Sequence, residues 1–287
     1  MAPKLRYLTD TRVVQQSGTG ARSLQVICAG LPRCATSSLQ AALETPAMGY
    51  DPCMHMAHVA PHVDRLELVL ACMIETDTEK RQKMLRPLFD GYASTADFPG
   101  IVFVDELMDM YPDALIILNQ RNDAESWVTS FTNALQFFHS LKYRLITMLW
   151  KTDRLHYQVQ CVAPGLVSSK IGTNAPLPSV KLYHAYNDWV RREASKRGRD
   201  ILEWKAADGY GPICKFLGKD VPKDAQGNEL EFPRVNDQKT MRFLQTILLT
   251  RGLLSWAALG AAGWAVGKYG VQLTFGYAKT IFGSASY

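Results

Sequence analysis

The residues best suited to chemistry lie in one short stretch, Gly30-Leu31-Pro32-Arg33-Cys34-Ala35-Thr36-Ser37-Ser38. The apolar run Leu24-Gln25-Val26-Ile27-Cys28-Ala29 precedes it and reads as a buried strand. Thr36 to Leu43 follows, with hydroxyl residues at its start and good helix formers after them. A loop between strand and helix turns backbone N–H groups toward one point at a helix N-terminus, which is where phosphate-like anions bind. Arg33 adds a fixed positive charge, and Thr36, Ser37 and Ser38 add hydroxyl donors. The nucleotide-triphosphatase loop GxxxxGK[ST] is absent, because Ala35-Thr36 stands where Gly-Lys is required. An anion bound without a metal is therefore expected, and hydrolysis of ATP or GTP is not.

Two other clusters invite a chemical reading and do not sustain it. His55, His58 and His62 recur at i, i+3, i+7, but no HExxH pattern is present and Pro61 interrupts the run, so no metal site is expected. Cys34 beside Arg33 at a helix start has the setting of an activated thiol, yet no His or Asn partner is identifiable.

The elements that must position the loop follow from hydropathy. Ala114-Leu115-Ile116-Ile117-Leu118 after the turn signal Tyr111-Pro112-Asp113 is a second apolar strand, and Asp200-Ile201-Leu202-Glu203-Trp204 a third. Helical patterns cover 65–85, 126–138 and 182–196. This alternation predicts an α/β fold: a P-loop-type central parallel sheet flanked by helices. The chain divides into an N-terminal arm (1–22), an α/β domain (23–239) and an apolar basic tail (240–287), with a polar surface loop over 219–237.

With those segments in place, the loop resembles the 5′-phosphosulfate-binding loop of sulfotransferases, and specifically a fungal-rich, P-loop-containing sulfotransferase-like family. Further blocks follow in the family's order. Pro52-Cys53-Met54-His55-Met56 is similar to its Pro-Cys-x-His-Met segment, and Asp97-Phe98-Pro99 to its Asp-x-Pro. Glu106-Leu107 through Tyr111-Pro112-Asp113-Ala114 and Ile116-Ile117-Leu118 leads into Arg121, as in the family's second core strand. The stretch 208–218 resembles its Gly-Trp-x-Pro-Leu-Cys-x-Phe-Leu-Gly block with Tyr210 in place of Trp, and 232–237 resembles its closing block. The likeness spans about 24–240 and does not cover the tail equally.

The resemblance implies transfer of a sulfuryl group from 3′-phosphoadenosine 5′-phosphosulfate to a hydroxyl of an apolar small molecule. It implies that Arg33, Cys34, Ala35, Thr36, Ser37 and Ser38 hold the 5′ end of the donor, and that Arg121 and Ser130 hold its 3′-phosphate. Arg121 follows a strand of the sheet, and a planar guanidinium matches phosphate in a bidentate way. Trp127 is either a stacking partner for adenine or a core residue. Arg33 would stabilise charge on the leaving bridge oxygen. Cytosolic sulfotransferases place a His-x-Pro base before the second strand; here Asp97-Phe98-Pro99 stands there, leaving Asp97, His55 and His58 as candidate bases. The missing histidine keeps a non-catalytic binding or scaffold role open, and the sequence does not separate sulfation from sulfation followed by elimination or cyclisation.

The composition agrees with a globular protein of 287 residues, 47% hydrophobic and 21% charged. The net charge of +5 is unevenly spread: the last 48 residues hold Arg242, Arg251, Lys268 and Lys279 with no Asp or Glu, so the body is nearly neutral. A near-neutral body excludes a general nucleic-acid binder. Six scattered cysteines and no apolar leader at the start point to a reducing, cytoplasmic setting. Gly252 to Gly267 is uncharged; as a helix its 16 residues reach ~24 Å, short of a ~30 Å bilayer core. Membrane-surface attachment, packing on the body and a homodimer contact are the three expectations for this tail.

Overall fold

The structure, a computed structural model, describes residues 6–9, 23–235 and 237–270. Most of the N-terminal arm and the end of the tail, Lys279 included, lie outside the described residues. Five parallel strands form one sheet in the order β2-β3-β1-β4-β5, built from β1 (Val26–Cys28), β2 (Cys53–Met54), β3 (Ser94–Ala96), β4 (Leu115–Gln120) and β5 (Ile201–Lys205). Eleven α-helices accompany it among the described residues: α1 (Arg6–Thr9), α2 (Thr36–Leu43), α3 (Val63–Ile74), α4 (Thr78–Phe89), α5 (Val104–Met110), α6 (Ala124–Leu135), α7 (Leu141–Thr147), α8 (Lys151–Ile171), α9 (Val180–Lys196), α10 (Tyr210–Leu217) and α11 (Asp237–Ala265).

The sheet is covered on both faces, which is why its strands read as apolar runs with little alternation. Val26 and Cys28 face one core with Leu39, Leu43, Ile213 and Trp204; Ile27, between them, faces the other with Trp127, Tyr186 and Phe103. The register Val26↔Leu115, Ile27↔Ile116 and Cys28↔Ile117 keeps apolar residues level across the two central strands. Arg81, Glu106, Lys170 and Asp105 form a charged cluster that ties α4, α5 and α8 together, with Arg81 Nε donating to Glu106 at 2.6 Å and Lys170 Nζ to Asp105 at 2.6 Å.

Three expectations need correcting. The single helix over 65–85 is two, because Asp77 accepts a hydrogen bond from the Lys80 amide (2.8 Å) and caps a new start. Residues 219–237 are more than a surface loop: Phe232 packs on Trp204 and Tyr210, with ring centroids 4.9 and 5.0 Å apart. The helix holding the apolar stretch begins at Asp237, so half of it belongs to the body: Met241, Leu244 and Leu248 are buried against Phe138 and Tyr143.

Candidate active site

Every candidate site residue lies at or just beyond the C-terminal end of a parallel strand or on the helix that follows it, where an open α/β sheet presents ligands. The loop 29–35 follows β1, His55 follows β2, Asp97 follows β3 and Arg121 follows β4. The sheet order sets β1 between β3 and β4, which brings Asp97 and Arg121 to opposite sides of the loop.

The loop is held from several sides. Gly30 donates its amide to Asn119 Oδ1 (2.9 Å), and Asn119 Nδ2 donates to the Cys34 carbonyl (2.8 Å). A Cβ on Gly30 would fall 1.8 Å from the Asn119 carbonyl oxygen, so glycine is required by close approach. Trp127 Nε1 donates to the Pro32 carbonyl at 2.9 Å. Tyr186 Oη lies 2.9 Å from the carbonyls of both Ala29 and Ile101, linking the loop to the segment after Asp97. Arg33 and Ala35 adopt left-handed backbone, at φ 74° and 58°, and so does Asp97 at 73°. Among the described residues these three are the non-glycine residues with positive φ, and all lie at the site. Helix α2 then starts with no side-chain cap, leaving its first amides directed at the groove beside it.

Two depressions meet at the loop. A polar groove of about 610 Å³ is lined by Arg33, Ala35, Thr36, Ser37, Ser38 and Arg121 on one side, and by Gly209 and the segment 231–235 on the other. An apolar cavity of about 350 Å³ lies beyond, among Leu31, Phe98, Ile101, Phe131, Phe138 and Val167, with Asp97 in its wall. Arg33 and Thr36 line both spaces.

Arg121 Nη1 donates to the Arg33 carbonyl (2.9 Å) and its Nε to Ser126 Oγ (3.2 Å), while its amide donates to Tyr183 Oη (2.9 Å). An ion pair with Asp123 or Glu125 does not form; Asp123 instead caps α6 by accepting from the Ser126 amide. Ser130 Oγ accepts from Arg33 Nε at 3.3 Å, so this hydroxyl orients the loop arginine. Trp127 is fully buried and is a core residue that braces the loop, so it offers no face to a base. Burial pushes the Cys34 thiol up to about 12 against the opposing pull of Arg121 and Arg33, which excludes a thiolate nucleophile at neutral pH.

At the junction, His55 Nδ1 accepts from the Ala57 amide (3.3 Å), which places the proton of the neutral ring on Nε2. Nε2 lies 3.4 Å from Ser37 Oγ and 3.5 Å from Asp97 Oδ2. His55 is sealed from solvent, while the Asp97 side chain is 11% exposed and faces the cavity. The far end of the cavity carries a second polar group: His156 Nδ1 lies 3.2 Å from Tyr143 Oη, and its Nε2 3.1 Å from Gln160 Nε2. Burial, then the neighbouring His139, pushes His156 down to about 4, so it is a neutral ring at pH 7. No group of three or more metal-ligating side chains occurs among the described residues.

The sequence reading did not single out Arg234, Gly209 or Asn119 as site residues. Arg234 and Gly209 stand about 175 to 200 positions from the loop, and only the fold sets them across the groove from it. Val235 donates its amide to Ser38 Oγ (3.1 Å), which fastens that wall to α2.

Comparison with known proteins agrees with this geometry. A family model described as sulfotransferase domain matches residues 25–241. The "Ava biosynthesis cluster protein M" of Aspergillus versicolor is 29% identical over 225 residues, covering 74% of this chain and 80% of that protein. With a strand–loop–helix unit at the centre of a five-stranded parallel sheet and a family-model match over most of the chain, this protein is a member of the sulfotransferase domain family.

Proposed function

We propose that the protein transfers a sulfuryl group from 3′-phosphoadenosine 5′-phosphosulfate to a hydroxyl of an apolar small molecule. The observation that carries this reading is the meeting of a polar, arginine-lined groove and an apolar cavity at Arg33 and Thr36. The groove presents Arg33, Arg121 and Arg234, which suits a nucleotide with phosphates at both ends of its ribose. The cavity suits an apolar body whose hydroxyl reaches Asp97.

In this arrangement the acceptor oxygen forms a bond to sulfur while the bond from sulfur to the bridging phosphate oxygen breaks. The acceptor proton passes to Asp97, the carboxylate that faces the cavity. Negative charge grows on the bridge oxygen, where Arg33 and the first amides of α2 stabilise it. Asp97 is the base and His55 its support: the neutral ring holds the carboxylate from behind through Nε2–H and joins it to Ser37 on the loop. The left-handed backbone of Asp97 aims the carboxylate into the cavity.

The test is transfer from 35S-labelled donor to a panel of hydrophobic phenols and alcohols, with calorimetry of adenosine 3′,5′-bisphosphate in excess EDTA. Metal-independent bisphosphate binding and label on an extractable product are expected. Absence of bisphosphate binding would overturn the reading.

A further inference from the structure

Helix α11 changes character at Arg251. Before it, Met241, Leu244 and Leu248 are buried in the cavity wall. Arg251 itself pairs with Asp153 and stacks over Trp150, 4.2 Å from the ring centroid. Beyond it, Gly252 to Gly267 carries no charge, and Leu253, Leu254, Leu259, Trp264 and Val266 are exposed. At 100° per residue these positions point to several sides of the helix, so no single apolar stripe exists to dock on a body. A helix apolar all round belongs in a core or in lipid. Gly252 and Trp256 touch α7 and Ser255 touches Trp150 just after it, and from Ala257 to Trp264 every residue is exposed among the described residues.

The exposed half does not stand alone. Helix α7 and the turn after it add Leu141, Leu145, Met148 and Leu149 to the same surface. The two helices touch closely, since a Cβ on Gly252 would fall 2.5 Å from the Ile146 carbonyl oxygen. The indole donors are consumed within the seam: Trp256 Nε1 donates to the Leu145 carbonyl (3.0 Å) and Trp150 Nε1 to Ser255 Oγ (3.1 Å). The apolar face is therefore continuous across α7 and α11.

Its charge identifies what it meets. Lys142, Arg144, Arg154 and Lys268 flank these segments, Lys151 pairs with Glu67 at 2.7 Å, and Asp153 is buried against Arg251. Two copies of this chain docked through the same face would bring like-charged rims together, whereas anionic headgroups would neutralise them. The uncharged stretch reaches ~24 Å, more than the ~15 Å of one leaflet and less than a full bilayer core.

We propose that the α7–α11 face is a lipid-docking surface that inserts into one leaflet and seats the apolar cavity against the bilayer. Tyr143, Trp150, Leu248 and Arg251 belong both to the cavity wall and to the base of this face. The acceptor is then a hydrophobic molecule dissolved in the membrane, a consequence that rests on reading the cavity as the acceptor site.

Vesicle flotation of the full chain tests the proposal, using phosphatidylcholine with 30% phosphatidylserine at 0.15 and 0.5 M NaCl. The wild type is expected to float at both salt concentrations, and acyl-chain-brominated phosphatidylcholine to quench its tryptophan fluorescence. Leu254 and Trp264 are 65% and 64% exposed, so Leu254→Glu with Trp264→Glu leaves the fold intact. The double variant is expected to partition at least tenfold less, with an unchanged thermal melt and unchanged affinity for adenosine 3′,5′-bisphosphate. A wild type that stays in the soluble fraction overturns the proposal. So does flotation that vanishes at 0.5 M NaCl, ignores the double substitution, or gives way to a stable dimer that the substitution dissociates. Failure of bisphosphate binding in the wild type refutes the sulfuryl-transfer reading and leaves the flotation result to decide lipid docking separately.

Discussion

Replacing Arg121 by alanine separates two roles that the structure assigns to one guanidinium. Its Nη1 already donates to the Arg33 carbonyl and its Nε to Ser126 Oγ, while the side chain lines the polar groove. A role in holding a 3′-phosphate rests on a charge-assisted hydrogen bond, and losing one costs roughly 1.5–3 kcal/mol, or about 10–150-fold in affinity. A role in holding the loop rests on a bond from the same cation to an uncharged carbonyl, which reaches the nucleotide only through the loop and is taken at roughly 0.5–1.5 kcal/mol, or about 2–12-fold. Calorimetry of the wild type and Arg121→Ala with adenosine 3′,5′-bisphosphate and with adenosine 5′-phosphate tells these apart. The bisphosphate is expected to lose about 20–1,800-fold, because both roles fail at once. The monophosphate is expected to lose only the smaller, loop-positioning part. Equal losses for the two nucleotides refute the 3′-phosphate assignment and leave Arg121 as a positioning residue for Arg33. Arg121→Lys keeps the charge without the fork and is expected to fall between the two.

Other substitutions probe the rest of the site. Asp97→Asn is expected to lower the transfer rate about 10²–10⁴-fold with donor affinity unchanged in calorimetry; a near-wild-type rate beside an inactive His55→Ala would move the base to His55. Gly30→Ala is expected to destabilise the fold severely, read as a lower urea midpoint, because its new methyl collides with the Asn119 carbonyl. Lys170→Met strips Asp105 and Glu106 of their shared cation and is expected to cost about 3–5 kcal/mol in the same melts. His156 is held below its ordinary value, so the unfolded chain binds the extra proton between pH 6.5 and about 4 and stability falls as pH drops through that window. Urea melts at pH 7 and 4.5 are expected to show His156→Asn losing less stability on acidification than the wild type.

The strand–loop–helix unit was legible in the sequence because its three parts are contiguous, and residues 24–43 carry the whole pattern. Strands β1 and β4 were legible for a related reason, since each contains an apolar run buried by the sheet and its helices, whereas the edge strand β5 showed itself through Ile201, Leu202 and the buried Trp204. Strands β2 and β3 were not, since two and three residues are too short for any periodicity to register. Pairing across the fold was equally hidden. Nothing in local spacing sets Arg234 opposite Arg121, or sends Asn119 to both ends of the loop. The tail showed its lack of charge plainly, but hydropathy alone gave no sign that Met241, Leu244 and Leu248 close a cavity while the residues after Arg251 emerge from it.

The two depressions make opposite demands on the loop they share. The groove needs charge and unpaired amides, and the cavity needs a dry wall. The loop meets both because its strained residues face one way and its apolar residues the other. Arg33 is left-handed while the Cys34 amide closes the loop on the Leu31 carbonyl (3.1 Å), and Ala35, also left-handed, leads into the uncapped start of α2 beside the groove; Leu31 and Pro32 supply the cavity wall, and Trp127 fixes Pro32 from behind. Left-handed backbone at a non-glycine residue costs of order 1–3 kcal/mol, and the network from Asn119, Trp127, Arg121 and Tyr186 is what over-determines it here. Each member of that network comes from β4, from Arg121 just past its end, or from the helices behind the loop, α6 and α9. The rigidity of the core is thereby passed to the point where donor and acceptor would meet, and a cavity mutation that loosens α6 should be felt in nucleotide affinity before it is felt in the acceptor's.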